Sequence, residues 1–168
     1  MPASRYIAQV SGQLTEIAGL VTSAGAGDDG KIVCLHVTGK LDTSVMPVGI
    51  GADTAAITTS EILAAGDYVN IHSSSGAKAR KADAWTSGKE AHGFVLSRFG
   101  SGAVATVYFE GTNTQVSRQT PGPVFLSTTA GLGVTTAPST AGQVQQRVGF
   151  ATSATTVNFQ SQPPLLLA

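Results

Sequence analysis

Short segments rich in β-branched and aromatic residues dominate the sequence and constrain its fold more than any other feature. Helical periodicity is scarce, and the best candidate, residues 60–65, is a single turn that Gly66 would end. Clusters of glycine, serine, proline and asparagine recur at spacings of roughly ten residues, which is typical of a small barrel or sandwich. We therefore predict an all-β protein with strands at residues 68–71, 93–96, 104–109, 124–126, 146–150 and 155–159.

Two pairs of glycines suggest an internal duplication. The interval from Gly66 to Gly93-Phe94 is the same as the interval from Gly122 to Gly149-Phe150. Similar segments, residues 106–110 and 156–160, then close the two halves. A chance recurrence is the alternative. If the repeat is real, both halves contribute to one barrel core, and its walls are the alternating sets Val104, Thr106, Tyr108 and Thr155, Val157, Phe159.

Residues 1–58 differ from the remainder of the chain. An alternating stretch at residues 6–17 leads into the glycine-rich residues 23–30 and an apolar run at residues 32–37. These segments hold too few large apolar side chains for a stable independent core. We expect an attachment and oligomerisation arm at residues 1–58, a β-barrel or sandwich domain at residues 59–162 and a docked apolar tail at residues 163–168.

The charge balance argues against two classes of partner. Ten basic and ten acidic residues give a formal net charge of zero, and charged residues make up only 12% of the chain. Such a chain lacks the positive field that would attract nucleic acids and anionic membranes. A weakly charged surface instead favours self-association. No signal-peptide pattern and no run of about 18 apolar residues occurs, so we expect synthesis in the cytoplasm and no membrane partner.

Two motifs that resemble chemical sites are better explained as structure. Residues 25–30 match the pattern G-x-G-x-x-G, but a β-branched run follows and Asp28 and Asp29 would repel a phosphate, so we predict a loop. Cys34 has apolar neighbours and is predicted to be a small buried residue, and Cys34 with His36 offers a zinc ion only two ligands. No G-x-S-x-G motif or ordered carboxylate pair occurs, so we expect no enzyme, cofactor or metal.

A basic cluster beside an aromatic residue leaves two interpretations open. Lys78, Arg80 and Lys81 precede Trp85, and this group could stack a base or a sugar of a host glycan, or meet an acidic patch on a partner. Alternatively, the segment is a solvated edge strand whose lysines discourage pairing with other chains.

Two stretches of the sequence resemble a known class of proteins. Residues 23–33 and 38–47 are similar to the "AGAGDAGKIV…TGKLDxSxMP" segment of phage head-fibre and decoration proteins. Residues 64–71, 81–84, 93–95 and 105–113 resemble the β-barrel domain of phage capsid decoration, or cement, proteins.

The resemblance implies a structural protein on the outer surface of a phage capsid, which binds the major capsid protein and stabilises the particle, commonly as a homotrimer. Its expected location is the exterior of the virion, after synthesis in the cytoplasm of the bacterial host. A tail or baseplate component is the nearest alternative, followed by a carbohydrate-binding module on the virion. The candidate partner-contact residues are Ile32, Leu35, Leu41, Met46 and Trp85.

Overall fold

A computed structural model describes residues 4–46 and 52–168 of the chain. The described residues form strands and two single-turn 3-10 helices, which confirms the all-β prediction. The chain divides into two compact units, Met1–Gly51 and Ala52–Ala168. The second unit therefore begins before residue 59, the predicted start of the barrel, because residues 54–59 form a barrel strand.

The first unit consists of a β-hairpin followed by irregular chain. Strand β1 (Arg5–Val10) pairs antiparallel with β2 (Gln13–Ala18), in continuous register from Arg5↔Ala18 to Val10↔Gln13. The turn between them is Ser11-Gly12, and both residues have positive φ, as a two-residue type I′ turn requires. The 3-10 helices Ala26–Asp28 and Thr43–Val45 follow. Pro47, the last residue of the phage-like segment, lies outside the described residues.

The second unit opens with a closed five-stranded barrel. Its strands are β3 (Thr54–Thr59), β4 (Tyr68–Ser73), β5 (Ala77–Lys81), β6 (Gly93–Phe94) and β7 (Val104–Tyr108). The order around the barrel is β3-β5-β4-β6-β7, and β7 returns to β3. Only the pairing of β3 with β5 is parallel. Closure leaves this sheet without a free edge.

The helical turn predicted at residues 60–65 is absent, so that prediction was wrong. Leu63 and Phe99 instead exchange two backbone hydrogen bonds, of 3.0 and 2.9 Å, and Leu63 is fully buried. One isolated helical turn is costly to nucleate, whereas the extended form places Leu63 in the barrel core.

A second sheet follows the barrel. It contains β8 (Gly111–Asn113), β9 (Gly122–Leu126), β10 (Gly133–Val134), β12 (Arg147–Ser153) and β13 (Thr156–Phe159), in the order β10-β9-β12-β13-β8. The short strands β11 (Val144–Gln145) and β14 (Leu165–Leu166) pair separately. The C-terminal residues 163–168 thus dock on the second unit through β14, as the apolar tail suggested.

The second unit has two hydrophobic clusters and not the single core that the repeat suggested. One fills the barrel around Leu63, Val69, Val95 and Val107. The other lies between the outer side of the barrel and the inner side of the second sheet, and it includes Tyr68, Phe94, Val124, Val157 and Phe159. The strands of the first half therefore form the closed barrel, and the sheet of the second half packs against the outer side of that barrel.

The predicted inward sets are half right. Val157 and Phe159 are buried, as expected, whereas Thr155, the third residue of that set, is exposed. On β7, however, Val104 is 62% exposed and Thr106 is exposed, while Ala105 and Val107 are buried. Ala105 and Val107 belong to the cluster inside the barrel, so Val104, Thr106 and Tyr108 point to its outer side.

The pairing register supports the internal duplication. In the first half Phe94 lies opposite Tyr108, and in the second half Phe150 lies opposite Asn158, at the matching position of the closing strand. Both halves also bring the backbones close together at the preceding glycine. A Cβ atom on Gly93 would lie 2.5 Å from the Tyr108 carbonyl oxygen, and one on Gly149 would collide with the Asn158 carbonyl oxygen.

Gly93→Ala and Gly149→Ala should each lower the free energy of unfolding by about 1–3 kcal/mol, because the added methyl group collides with backbone that cannot move aside. Gly100→Ala is the matched control, since a Cβ atom there meets nothing within 4 Å. It should change stability by no more than about 0.5 kcal/mol. Urea denaturation measures all three, and equal midpoints for the three variants would contradict this account.

Candidate partner-contact site

The described part of the first unit has no core. No residue from 4 to 46 is buried. Nine large apolar side chains are exposed there, namely Ile7, Val10, Leu14, Ile32, Val33, Leu35, Val37, Leu41 and Met46. An isolated two-stranded hairpin is marginally stable in water. Contiguous exposed apolar residues mark surfaces that bind partners.

The hairpin has one exposed face with little net charge. The register Ile7↔Glu16 and Gln9↔Leu14 places Ile7 and Leu14 on the same face, where they are 71% and 80% exposed. Arg5 and Glu16 lie on this face and form an ion pair of 3.3 Å. Tyr6, on the opposite face, is half-buried, and its hydroxyl accepts a hydrogen bond from the Ile32 amide at 3.4 Å. Sequence reasoning missed Ile7 and Leu14, although the alternation at residues 6–17 was visible.

The four predicted contact residues of the first unit are all exposed. Ile32, Leu35 and Leu41 lie in the irregular chain after the hairpin, and Met46 follows the second 3-10 helix. Met46 also lines a concave surface of about 600 Å³, together with Leu20, Val33 and Val45. The structure therefore gives Met46 apolar neighbours in a shaped concavity.

The glycine-rich residues 25–30 form a loop, as predicted, and Asp28 organises it. The Asp28 carboxylate accepts hydrogen bonds from the Ala24 amide at 2.7 Å and the Ser23 hydroxyl at 3.3 Å, and it pairs with Lys31 at 2.7 Å. These donors lower the pKa of Asp28, with the Lys31 ammonium group as the main cause. The Ala24 amide, which a bound anion would need as a donor, therefore already donates to the Asp28 carboxylate.

Asp42 has a similar local role at the second 3-10 helix. Its carboxylate accepts a hydrogen bond from the Ser44 amide at 2.9 Å and caps the helix. Hydrogen bonding from Ser44 lowers the pKa of Asp42. Both carboxylates therefore hold backbone turns of the first unit.

Cys34 is half-buried, so the prediction of a buried residue was wrong, although its sulfur packs closely against the backbone. A Cβ atom on Gly19 would collide with the Cys34 sulfur, and the Cys34 amide donates to the Leu20 carbonyl oxygen at 2.7 Å. Cys34 therefore packs against the chain that leaves the hairpin. No group of three or more metal-ligating side chains occurs within residues 4–46 and 52–168.

Trp85 projects from a well-ordered loop of the second unit and is 65% exposed. The nearly buried Asp83 holds this loop, since its carboxylate accepts hydrogen bonds from the Trp85 and Thr86 amides at 3.1 and 2.9 Å. The same carboxylate pairs with Lys89 at 3.3 Å. A large aromatic side chain on a preorganised loop is a typical contact residue of a binding surface.

Arg80 and Lys81, two of the three basic residues before Trp85, already have partners. Arg80 donates to the Asn70 side chain at 2.9 Å and to the Gly88 carbonyl oxygen at 2.8 Å, and Lys81 pairs with Asp67 at 3.2 Å. The geometry therefore gives less support to a sugar site built from Trp85, Arg80 and Lys81. The edge-strand interpretation was wrong, because β5 pairs with β3 on one side and with β4 on the other.

One contact that sequence reasoning missed joins Ser60 and His72. The Ser60 hydroxyl lies 3.0 Å from His72 Nε2 and donates a hydrogen bond of 3.2 Å to the Ala79 carbonyl oxygen. The Ser60 amide donates to the same carbonyl at 2.8 Å. Ser60 follows the last residue of β3 and His72 lies on β4, so the contact joins two strands of the barrel wall. Ser60 and His72 are 12 positions apart in the chain, so no short sequence pattern could predict this contact.

In a titration followed by NMR, the Asp28 carboxyl group should have a midpoint below its ordinary value of 3.8. Its stabilising contribution to the loop is present above that value and is lost as the pH falls through the lowered pKa. Lys31→Met should raise the midpoint because it removes the main hydrogen-bond donor, whereas Lys40→Met should not. An unchanged midpoint in Lys31→Met would show that the ion pair is not formed in solution.

Comparisons of the chain with protein-family models, with curated proteins and with solved structures found no match. Within the described residues, no helix has the length and apolar character needed to cross a membrane.

Proposed function

We propose that this protein is a structural component of a bacteriophage particle, which binds the outer surface of the capsid through its first unit and displays the barrel of its second unit. The observation that carries the proposal is the absence of any buried residue from 4 to 46, alongside nine exposed large apolar side chains. The family resemblance of residues 23–33 and 38–47 in this same unit supplies the phage assignment.

The energetics of the first unit favour a binding role. Covering one leucine- or isoleucine-sized side chain contributes about 1.5–3 kcal/mol. Within the chain, these groups gain little of that stabilisation because the unit has no core. A partner surface that covers several of them would gain this stabilisation on binding.

The charges of the first unit suit a contact that is mainly apolar. Three basic residues (Arg5, Lys31, Lys40) and four acidic residues (Glu16, Asp28, Asp29, Asp42) give 3 − 4 = −1. Arg5 pairs with Glu16 and Lys31 with Asp28. Since the unit offers little unbalanced charge, its binding should depend weakly on salt.

The second unit supports its role as the displayed domain. All of the buried residues in the described part of the chain lie in it, and most of the apolar ones form two hydrophobic clusters. It should therefore fold without the first unit. The proposed particle carries many copies, and self-association as a homotrimer would multiply weak contacts with the major capsid protein.

A variant that begins at Ala52 should remain folded and soluble but should no longer co-sediment with capsids assembled without the protein. Deletion removes the surface that binds, and it leaves both hydrophobic clusters intact. Circular dichroism checks the fold of the variant. Undiminished capsid binding by the truncated protein would overturn the proposal, and binding of the full chain only to tails would assign it to the tail instead.

The double variant Ile7→Ser/Leu14→Ser should weaken capsid binding at least tenfold, because it removes two apolar contacts of about 1.5–3 kcal/mol each. Val104→Ser is the matched control, since Val104 is 62% exposed but lies in the second unit. It should bind capsids as the unchanged protein does. If the double variant and Val104→Ser bound capsids with equal affinity, the contact would lie outside the hairpin face that carries Ile7 and Leu14.

A further inference from the structure

A concave surface of the second unit is lined by three segments of the chain. Its volume is about 450 Å³, within the range of roughly 300–1,000 Å³ that small-molecule sites occupy. The walls are residues 64–68, which lead into β4, residues 115–119 between β8 and β9, and residues 131–133, which lead into β10. We call this concavity the Tyr68 cavity.

Hydrogen bonds between the three segments hold the walls in place. The Tyr68 amide donates to the Gly131 carbonyl oxygen at 2.9 Å, and the buried Asn113 side chain donates to the Gly66 carbonyl oxygen at 2.9 Å. The Asn113 side chain also accepts a hydrogen bond from the Gln115 amide at 3.1 Å. Walls that are already fixed in the free protein reduce the entropy that a ligand must offset when it binds.

Two buried polar atoms at this cavity have no hydrogen-bond partner. Within residues 4–46 and 52–168, the Tyr68 hydroxyl and Gln119 Oε1 are the buried side-chain polar atoms that lack one, and both residues line the cavity. Tyr68 is fully buried, and its hydroxyl lies beside Gly133, where a Cβ atom would be 3.5 Å away. Such unpartnered groups lower stability and are few in native proteins. Their occurrence at one cavity indicates that the partner comes from outside the chain.

The two atoms differ in what they require from a ligand. Burial raises the pKa of Tyr68, so its hydroxyl stays protonated at neutral pH and can donate. Gln119 Nε2 donates to the Ser117 and Gly133 carbonyl oxygens at 3.1 and 3.3 Å, which fixes the orientation of the side-chain amide and leaves Oε1 as an acceptor. A ligand that binds both must therefore accept one hydrogen bond and donate another.

The charges at the cavity argue against an ionic ligand. The Asp67 carboxylate pairs with Lys81 at 3.2 Å and accepts a hydrogen bond from the Ala64 amide at 2.8 Å, so it is already neutralised. Arg118, which also lines the cavity, would repel a cation. A phosphate-like anion offers only acceptors and would leave Gln119 Oε1 without a donor. A neutral ligand with hydroxyl groups meets both requirements, because each hydroxyl can donate and accept.

The apolar part of the lining favours a sugar over a nucleobase. Ala65, Val116 and Leu132 offer contacts for the C–H groups of a sugar ring. The aromatic residue of the lining, Tyr68, is fully buried and gives a base no ring on which to stack. The cavity therefore suits a compact hydroxylated ring.

A neighbouring concavity of about 500 Å³ extends the site. It shares Arg118, Gln119 and Gly133 with the Tyr68 cavity. Its lining includes six hydroxyl side chains, namely Ser127, Thr128, Thr135, Thr136, Ser139 and Thr140. A chain of linked sugar units would find hydrogen-bonding partners in both concavities, so a short oligosaccharide should bind more tightly than a single unit.

We propose that the Tyr68 cavity binds one neutral sugar unit of a glycan, with the Tyr68 hydroxyl donating to one sugar hydroxyl and Gln119 Oε1 accepting from another. Both atoms are covered in the free protein, so the Gln119 side chain must turn as the sugar enters. Its hydrogen bonds to two backbone carbonyl oxygens are then exchanged for bonds with the sugar. That the glycan belongs to a host cell rests on the proposed function, whereas the binding itself does not.

The test follows amide chemical shifts of the full-length protein during titration with sugars to millimolar concentrations. The probes are the methyl glycosides of glucose, galactose, mannose and N-acetylglucosamine, and short oligosaccharides of each. Signals of Val116, Gln119 and Leu132 should shift and saturate with at least one sugar, and its oligosaccharide should saturate them at lower concentration. Sodium phosphate should give no saturable shifts there, because it cannot donate to Gln119 Oε1.

Tyr68→Phe should lower the association constant about tenfold, as expected for the loss of one hydrogen bond. Its midpoint of urea denaturation should be unchanged or higher, because the deleted hydroxyl has no partner within the described residues. Tyr108→Phe is the matched control, since it also removes a tyrosine hydroxyl but from a residue that does not line the cavity. It should bind the sugar as the unchanged protein does.

The double variant Ile7→Ser/Leu14→Ser should bind the sugar normally even while capsid binding is lost, which separates this proposal from the proposed function. If none of the sugars gave saturable shifts at the cavity, the proposal would be overturned, and enclosed water would be the partner of the two atoms. Shifts of equal size and affinity in Tyr68→Phe would also overturn it, because the sugar would then bind elsewhere on the protein.

Discussion

The packing of Phe159 against Tyr68 and Phe94 joins the two halves of the second unit. The ring centroids lie 5.8 and 5.4 Å apart, in the range where aromatic pairs attract each other beyond their apolar burial. Without this contact the barrel would expose Tyr68 and Phe94 to solvent, and the second sheet would expose Val124 and Val157. The close backbone approach at Gly93 and Gly149 makes the contact geometrically possible, because it allows each Gly-Phe strand to lie directly against its closing strand.

Local sequence patterns were sufficient for the fold class and for the strands with strong β-branched and aromatic content, such as β7 and β13. They were insufficient for β3 and β5, whose many alanine, threonine and lysine residues carry little strand signal, and which depend on partners far along the chain. The inward set of β7 was misassigned because the alternation of a strand does not reveal which of its two sides faces the core. Among site residues, the exposure of Leu35 and Trp85 could be expected from sequence, but the partners of Arg80 and Lys81 could not, since they come from distant strands.

The two units handle apolar surface in opposite ways. In the second unit most of the apolar surface is enclosed in two clusters, and the buried Gln146 side chain exchanges hydrogen bonds of 2.7 and 3.0 Å with the Ala91 backbone. In the first unit the polar groups are similarly well bound, through Asp28 and Asp42, while the apolar side chains stay exposed. Ordered backbone with uncovered apolar side chains fits a surface prepared for a partner, because part of the entropy of ordering is lost before binding.

The position of β3 affects how the barrel can form during synthesis. Thr54 pairs with Tyr108, at the far end of the barrel sequence, so β3 leaves the ribosome long before its main partner exists. An unpaired strand at that stage is open to pairing with other nascent chains. The sequence of β3, Thr-Ala-Ala-Ile-Thr-Thr, contains one large apolar residue. A strand with so little apolar content is a weak template for aggregation before β7 has been synthesised. The small side chains that give β3 little strand signal in the sequence therefore also lower its tendency to aggregate.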